Sequence, residues 1–208
     1  MSIVSNPLLL KKKATTAAEV YKIAQSIRFN SGDTPTLQRT TSADGNRRKY
    51  TIAWWQKKHF VSTLDNKNCG TISARTDDNN HFTIGLENSG QGNHNSKQSG
   101  TSDLSVGTST YKFADTTAWM HYMVVVDTTN STQADRFKIY INGENRFTSL
   151  GTRFDQNDLT EWNKSGVTHT IGASGQTNWG HPDITFADIH HIDGLALSPA
   201  AFGSFDST

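Results

Sequence analysis

Residues 136–143 read Arg-Phe-Lys-Ile-Tyr-Ile-Asn-Gly. Apolar and polar side chains alternate as far as Ile141, and an Asn-Gly pair follows at once. A period of two places Phe137, Ile139 and Ile141 on one face of a strand. Asn142-Gly143 then reverses the chain, because a type I′ hairpin turn needs positive φ at both central residues. A strand that is apolar on one face only must bury that face against a second layer. This hairpin therefore already demands a layered, antiparallel β structure.

The same period recurs along the chain. Tyr21, Ile23, Ile27 and Phe29 predict a first strand from Val20, and Thr36 to Thr40 a short second one. In Lys49 to Lys57, Tyr50, Ile52 and Trp54 share one face while Thr51, Ala53 and Trp55 share the other. His59 to Leu64, Thr71 to Arg75, His81 to Leu86, Thr168 to Gly172 and Ile184 to His191 read as further strands. Ala118 to Asp127 is continuously apolar in its second half, as a central strand covered on both sides would be. Ser31 to Pro35 and Ser42 to Asn46 are turns. Glu87 to Ser102 is polar and rich in Gly, Asn, Ser and Gln, and reads as a long loop, either ordered and of the kind that carries function or simply disordered. Ser198-Pro199-Ala200-Ala201-Phe202-Gly203 has a capping residue, a first-turn proline and a closing glycine, which predicts one short helical turn.

Composition agrees with this layout. The 208 residues fit one large β domain, and with 34% hydrophobic residues and a mean hydropathy of -0.60 the core must be thin. A formal net charge of +1 supplies no field that would favour nucleic acid or an anionic membrane. Cys69 is the single cysteine, so no internal disulfide or cysteine zinc cluster can form, and folding in a reducing cytoplasm is expected. No apolar run approaches the ~20 residues of a membrane span. The start does not read as a signal peptide, because Lys11 to Lys13 follow the apolar residues instead of preceding them. Residues 1–19 differ from the rest: Leu8, Leu9 and Leu10 form a sticky patch beside Lys11, Lys12 and Lys13. This reads either as a disordered tail or as an extended arm that docks on a partner. Residues 20–208 form the β domain.

Several motifs taken together carry a family resemblance. They are Trp119-x-His121-Tyr122-x-Val124-Val125-Val126-Asp127, Lys138-Ile139-Tyr140-Ile141-Asn142-Gly143, His169-x-Ile171-Gly172, and Ala187-Asp188-Ile189-His190-x-Ile192-Asp193-Gly194-x-Ala196-Leu197. In this order they resemble the concanavalin A-like, laminin G-like jelly roll, over most of residues 20–205. The ending Ser198 to Asp206 is similar to a subgroup common in tailed, especially marine, bacteriophages. The resemblance implies an all-β fold, a two-sheet antiparallel jelly-roll β-sandwich with one short C-terminal helical turn. It also implies a virion structural protein: a head-surface decoration, fibre or tail appendage on the virion surface, assembled in the host cytoplasm. Relatives of this kind often continue beyond the position of Asp206. A homo-oligomer is expected, docked to other virion proteins through the arm, with a host-surface glycan as a further partner.

The residues weigh against catalysis. Jelly-roll glycosidases use Glu-x-Asp-x-x-Glu, which sets two carboxylates on one strand face. No pair among Glu19, Glu87, Glu144 and Glu161 has that spacing, so no catalytic residues are assigned and a non-enzyme is expected. No metal site or cofactor is assigned either. Asp77-Asp78-Asn79-Asn80 and Asp155-x-x-Asp158 offer oxygen ligands that Ca²⁺ would accept, or are simply solvated turns. His190 and His191 are adjacent, so on a strand they point to opposite faces and do not share one zinc ion. Glycan binding is the small-ligand reading. Trp162, Trp179 and Tyr111 are the candidate aromatic surfaces and Asn178 a candidate hydrogen-bonding partner. A loop tryptophan can equally plug a sandwich edge or a subunit contact. A free lectin domain is the alternative to the virion protein, and a glycoside hydrolase the third reading.

Overall fold

The structure, a computed structural model, describes residues 22–60, 68–87, 91–99, 101–112, 114–146, 153–175 and 179–203, with Leu104 the one side chain described within 101–112. The arm of residues 1–19, with Leu8 to Lys13, lies outside the described residues, as does Asn178. Among the described residues the chain forms β1 (Ile27–Phe29), β2 (Leu37–Thr40), β3 (Lys49–Lys58), β4 (Cys69–Asp77), β5 (Asn80–Leu86) and β6 (Gln91–Gln98). Then follow β7 (Thr101–Lys112), β8 (Met120–Asp127), β9 (Phe137–Ile141), β10 (Glu144–Asn145), β11 (Thr168–Ile171) and β12 (Ile184–Asp193). The helical content of the described residues is three short 3₁₀ turns, at Ser31–Asp33, Gln133–Asp135 and Pro199–Ala201.

Two six-stranded sheets result. Sheet A runs β1-β12-β3-β8-β9-β10 and sheet B runs β2-β11-β4-β5-β6-β7, with every pairing antiparallel. The expected two-sheet antiparallel sandwich is therefore observed. Tyr50, Ile52 and Trp54 of β3 meet Ile72, Phe82 and Ile84 of sheet B in one buried cluster. Phe137, Ile139 and Ile141 are all buried in it, and Asn142 and Gly143 have φ of 50° and 80° in the turn that joins β9 to β10.

The apolar run of β8 has its cause in a second layer. Tyr122, Val124 and Val126 enter the core, while Met123 and Val125 form an outer cluster with Ala53. Tyr140, Leu197 and Phe202 pack on that cluster, so the C-terminal segment covers the outer face of sheet A. It is pinned by Leu197 N donating to Thr51 Oγ1 and Thr51 Oγ1 donating to Leu195 O.

Four expectations need correction. The first strand is only Ile27–Phe29 among the described residues, because β1 meets β12 over three positions, Phe186 to Ile184. β3 ends at Lys58, and His59 and Phe60 are outside any strand; residues 61–67 lie outside the described residues. The predicted loop Glu87 to Ser102 instead contains β6 and the start of β7. Its inward positions are Gly92, His94 and Ser96, all buried, so the strand alternates without apolar residues to reveal it. The turn at Pro199–Ala201 is present, but the Ser198 side chain caps nothing.

Candidate functional site

The outer face of sheet B gathers polar groups that the sequence separates. Ile84 and Leu86 point into the core, so His81, Thr83 and Gly85 of β5 face outward. The register sets Lys97, Asn95 and Asn93 of β6 directly across from these three. His81 Nε2 donates to Asn95 Oδ1 (2.8 Å), Asn95 Nδ2 to Asn93 Oδ1 (3.4 Å), and Asn93 Nδ2 to the Glu87 carboxylate (3.1 Å). Four side chains thus form one directed ladder ending on an anion. Burial is the main cause that holds His81 below the usual histidine pKa, with the bond to Asn95 opposing it. The neutral imidazole is thereby kept in place as a donor near neutral pH.

Trp179 completes this face. A methyl group at Gly85 would run into Trp179 Cζ3 and the Cys69 carbonyl oxygen. Glycine is therefore required where the indole approaches the strand this closely. Asn93 is the residue directly opposite Gly85, so the half-buried indole sits beside the amide ladder. Gly180 fixes the approach through a bridge to Cys69, with its N–H on Asn68 O at 2.7 Å. Cys69 itself is buried, and burial pushes its thiol up to about 12, so it is not a nucleophile.

Of the two readings of Trp162, an open sugar surface or a plug of the sandwich, its burial matches the plug. It is only 6% exposed, stacked on Tyr50 (6.3 Å, 29°) with His169 edge-on at 4.5 Å and His191 at 5.6 Å. The preceding Glu161 explains the burial. Its carboxylate accepts from Lys164 Nζ at 2.9 and 3.0 Å and from Thr76 Oγ1 at 3.1 Å, with Arg47 at 3.6 Å. Glu161 is 1% exposed, and this anchoring draws the neighbouring indole into the sandwich. Trp162 therefore offers no open ring face for a sugar. The backbone of Tyr111 lies in β7, on the same sheet as the amide ladder.

The acidic turns are engaged by the chain itself. Asp77 accepts from Asn79 N (2.8 Å) and from Asn80 Nδ2, Asp78 pairs with Arg75, and Asp158 accepts from Asp155 N (2.6 Å). Among the described residues no group of three or more His, Cys, Asp or Glu is placed to hold a metal ion. His190 and His191 do point to opposite faces: His190 meets Phe202 on the outer layer and His191 meets Tyr50 and Trp162.

Asn93, Asn95, His81 and Glu87 were not among the site residues expected from the sequence. The alternation Asn93-x-Asn95 was a signal, but without inward apolar residues it read as loop.

No protein-family model matches the sequence, and no curated protein matches it. Solved structures do. A native heptameric SAP-like pentraxin from Limulus polyphemus superposes with a TM-score of 0.54 at 15% identity, over 79% of this chain and 71% of the pentraxin. The chain is a jelly-roll β-sandwich. The NanB sialidase of Streptococcus pneumoniae superposes on this jelly roll with a TM-score of 0.54 at 17% identity, over 87% of this chain and 27% of the sialidase. A botulinum neurotoxin type C structure, whose subject is cell entry through two ganglioside molecules, gives 0.50 at 15% identity over 76% of this chain. The jelly roll spans 35% of that neurotoxin chain. At these identities the likeness concerns the fold.

Proposed function

We propose that this jelly roll is a non-enzymatic, glycan-recognising module carried on the surface of a tailed bacteriophage virion. One observation carries the glycan part: on the outer face of sheet B the half-buried Trp179 indole sits beside the half-buried Asn95, Asn93 and Glu87 of the ladder, with Asn95 held by the buried His81. Sugars present apolar C–H faces flanked by hydroxyls, which an aromatic ring and fixed amide or carboxylate groups complement. Because the ladder holds its own side chains, little rotamer freedom is left to lose on binding. The neurotoxin of the same fold, whose cell entry depends on two ganglioside molecules, supports the class of ligand. The heptameric pentraxin supports the expected homo-oligomer. The virion assignment rests on the motif resemblance, with the leucine-lysine arm docking the module to a neighbouring virion protein.

The test is a glycan array and calorimetry on the full chain with host surface polysaccharides. Binding that falls at least roughly tenfold in both Trp179→Ala and Asn93→Ala is expected, the loss of about one good contact each. No binding at millimolar glycan would remove the glycan reading. Mass spectrometry of purified particles tests the virion reading separately.

A further inference from the structure

Among the described residues the two sheets do not cover each other fully. There β1 pairs with β12 only over Ile184 to Phe186, so from the bulge at Asp188 onward no described strand pairs with that edge of β12. Across from it, β2 still extends sheet B. Register defines two rungs there, Ile72–Ile171–Leu37 and Ala74–His169–Arg39. Ile72 and Ala74 are core residues, so Leu37 and Arg39 also turn toward the space between the sheets. The opposing rung of sheet A is Ile52–His191. Between them lies a cavity of about 470 Å³, closed on one side by Trp162 and reached past Leu37, which is 46% exposed.

The cavity combines an apolar floor with a cation, Arg39, whose side chain is not committed to any described residue. Ile52, Ile72, Ile171 and Ile189 supply the floor. Most polar groups around it are engaged with the chain. His169 accepts from Asn163 N at Nε2 and donates from Nδ1 to Val167 O, which fixes a neutral imidazole. Asn163 Nδ2 donates to Asn46 O and Asp193, Thr41 Oγ1 to Lys164 O, and Asp44 accepts from Ser165 N. The Arg39 side chain has neither an ion pair nor a hydrogen bond among the described residues. Its charge nevertheless reaches the cavity, since it helps hold His169 and His191 below the usual histidine pKa, after burial as the main cause.

We propose that this cavity binds a small organic anion with an apolar body, a medium-chain or aromatic carboxylate. The apolar body lies among the four isoleucines and the carboxylate meets the Arg39 guanidinium at the mouth. A guanidinium fork is suited to a carboxylate. A sugar is disfavoured here because the floor leaves hydroxyls without partners, and a cation is disfavoured by Arg39. The volume falls within the usual range for small-molecule sites, roughly 300–1,000 Å³. This site is separate from the outer face of sheet B and does not depend on the glycan reading.

The test titrates the full chain with octanoate, and with 1-octanol as a neutral probe of equal length, while isoleucine methyl groups are followed by NMR. Saturable shifts at Ile52, Ile72, Ile171 and Ile189 are expected with octanoate. Arg39→Gln should weaken octanoate by roughly tenfold or more, as loss of a charged hydrogen bond does, and leave 1-octanol unchanged. Leu37→Trp, at an exposed rim position, should block both probes without touching the core. The proposal is overturned if these methyls do not shift at millimolar octanoate, or if Arg39→Gln binds octanoate as the parent does. It is also overturned if contacts between the Leu8 to Leu10 methyls and the cavity appear in the ligand-free protein, because the chain's own arm would then be the occupant.

Discussion

His94 should make this fold sensitive to acid. It is fully buried on the inner face of β6, its Nε2 is 2.8 Å from Tyr122 Oη, and its Nδ1 has no hydrogen-bond partner among the described residues. Burial alone pulls its pKa from 6.5 down to about 3. The folded state therefore refuses a proton that the unfolded chain accepts. The stability this contributes is complete above pH 6.5 and is lost as pH falls toward 3. The limiting slope is about 1.4 kcal/mol per pH unit for one group, so roughly 2–3 kcal/mol should go between about pH 6.5 and about pH 4.5. His94→Gln keeps an amide within reach of Tyr122 and removes the titration. Urea unfolding of both proteins at about pH 7 and about pH 4.5 isolates the effect, because carboxylate contributions are common to both. The variant should lose less stability on acidification, by about that amount. Equal losses in the two proteins, or an imidazole pKa measured near the ordinary histidine value, would refute the reasoning.

Three further outcomes are expected. Gly85→Ala should destabilise by about 1–3 kcal/mol, since the added methyl meets both Trp179 and the Cys69 carbonyl; thermal unfolding checks it, together with a change in indole fluorescence. Phe202→Ala should cost about 1–2 kcal/mol by uncovering Met123 and Val125, and should also raise the His121 pKa from about 4, because Phe202 lies 5.7 Å from that ring and burial is the main cause of its depression; ¹H NMR titration reads the second effect. Glu161→Gln should cost about 1.5–3 kcal/mol through loss of the Lys164 and Arg47 pairing and loosen Trp162, seen as a red-shifted indole emission.

The sequence by itself determined the elements whose inward residues are apolar. Phe137, Ile139 and Ile141 with Asn142-Gly143 specify a strand, its buried face and its turn from seven consecutive residues, because local sterics and a period of two suffice. Tyr50, Ile52 and Trp54 specify their face in the same way. Only the tertiary structure decided the rest. β6 is a strand although its inward residues are Gly92, His94 and Ser96, because Tyr122, 28 positions away, receives the imidazole. Trp162 is buried because Tyr50, Phe82 and His191, distant in sequence, pack on its ring. The amide ladder beside Trp179 and the cavity at Arg39 arise from register across strands and from the shortness of β1. Periodicity reports which residues share a face, but not which distant face will cover them, and both candidate sites depend on that second fact.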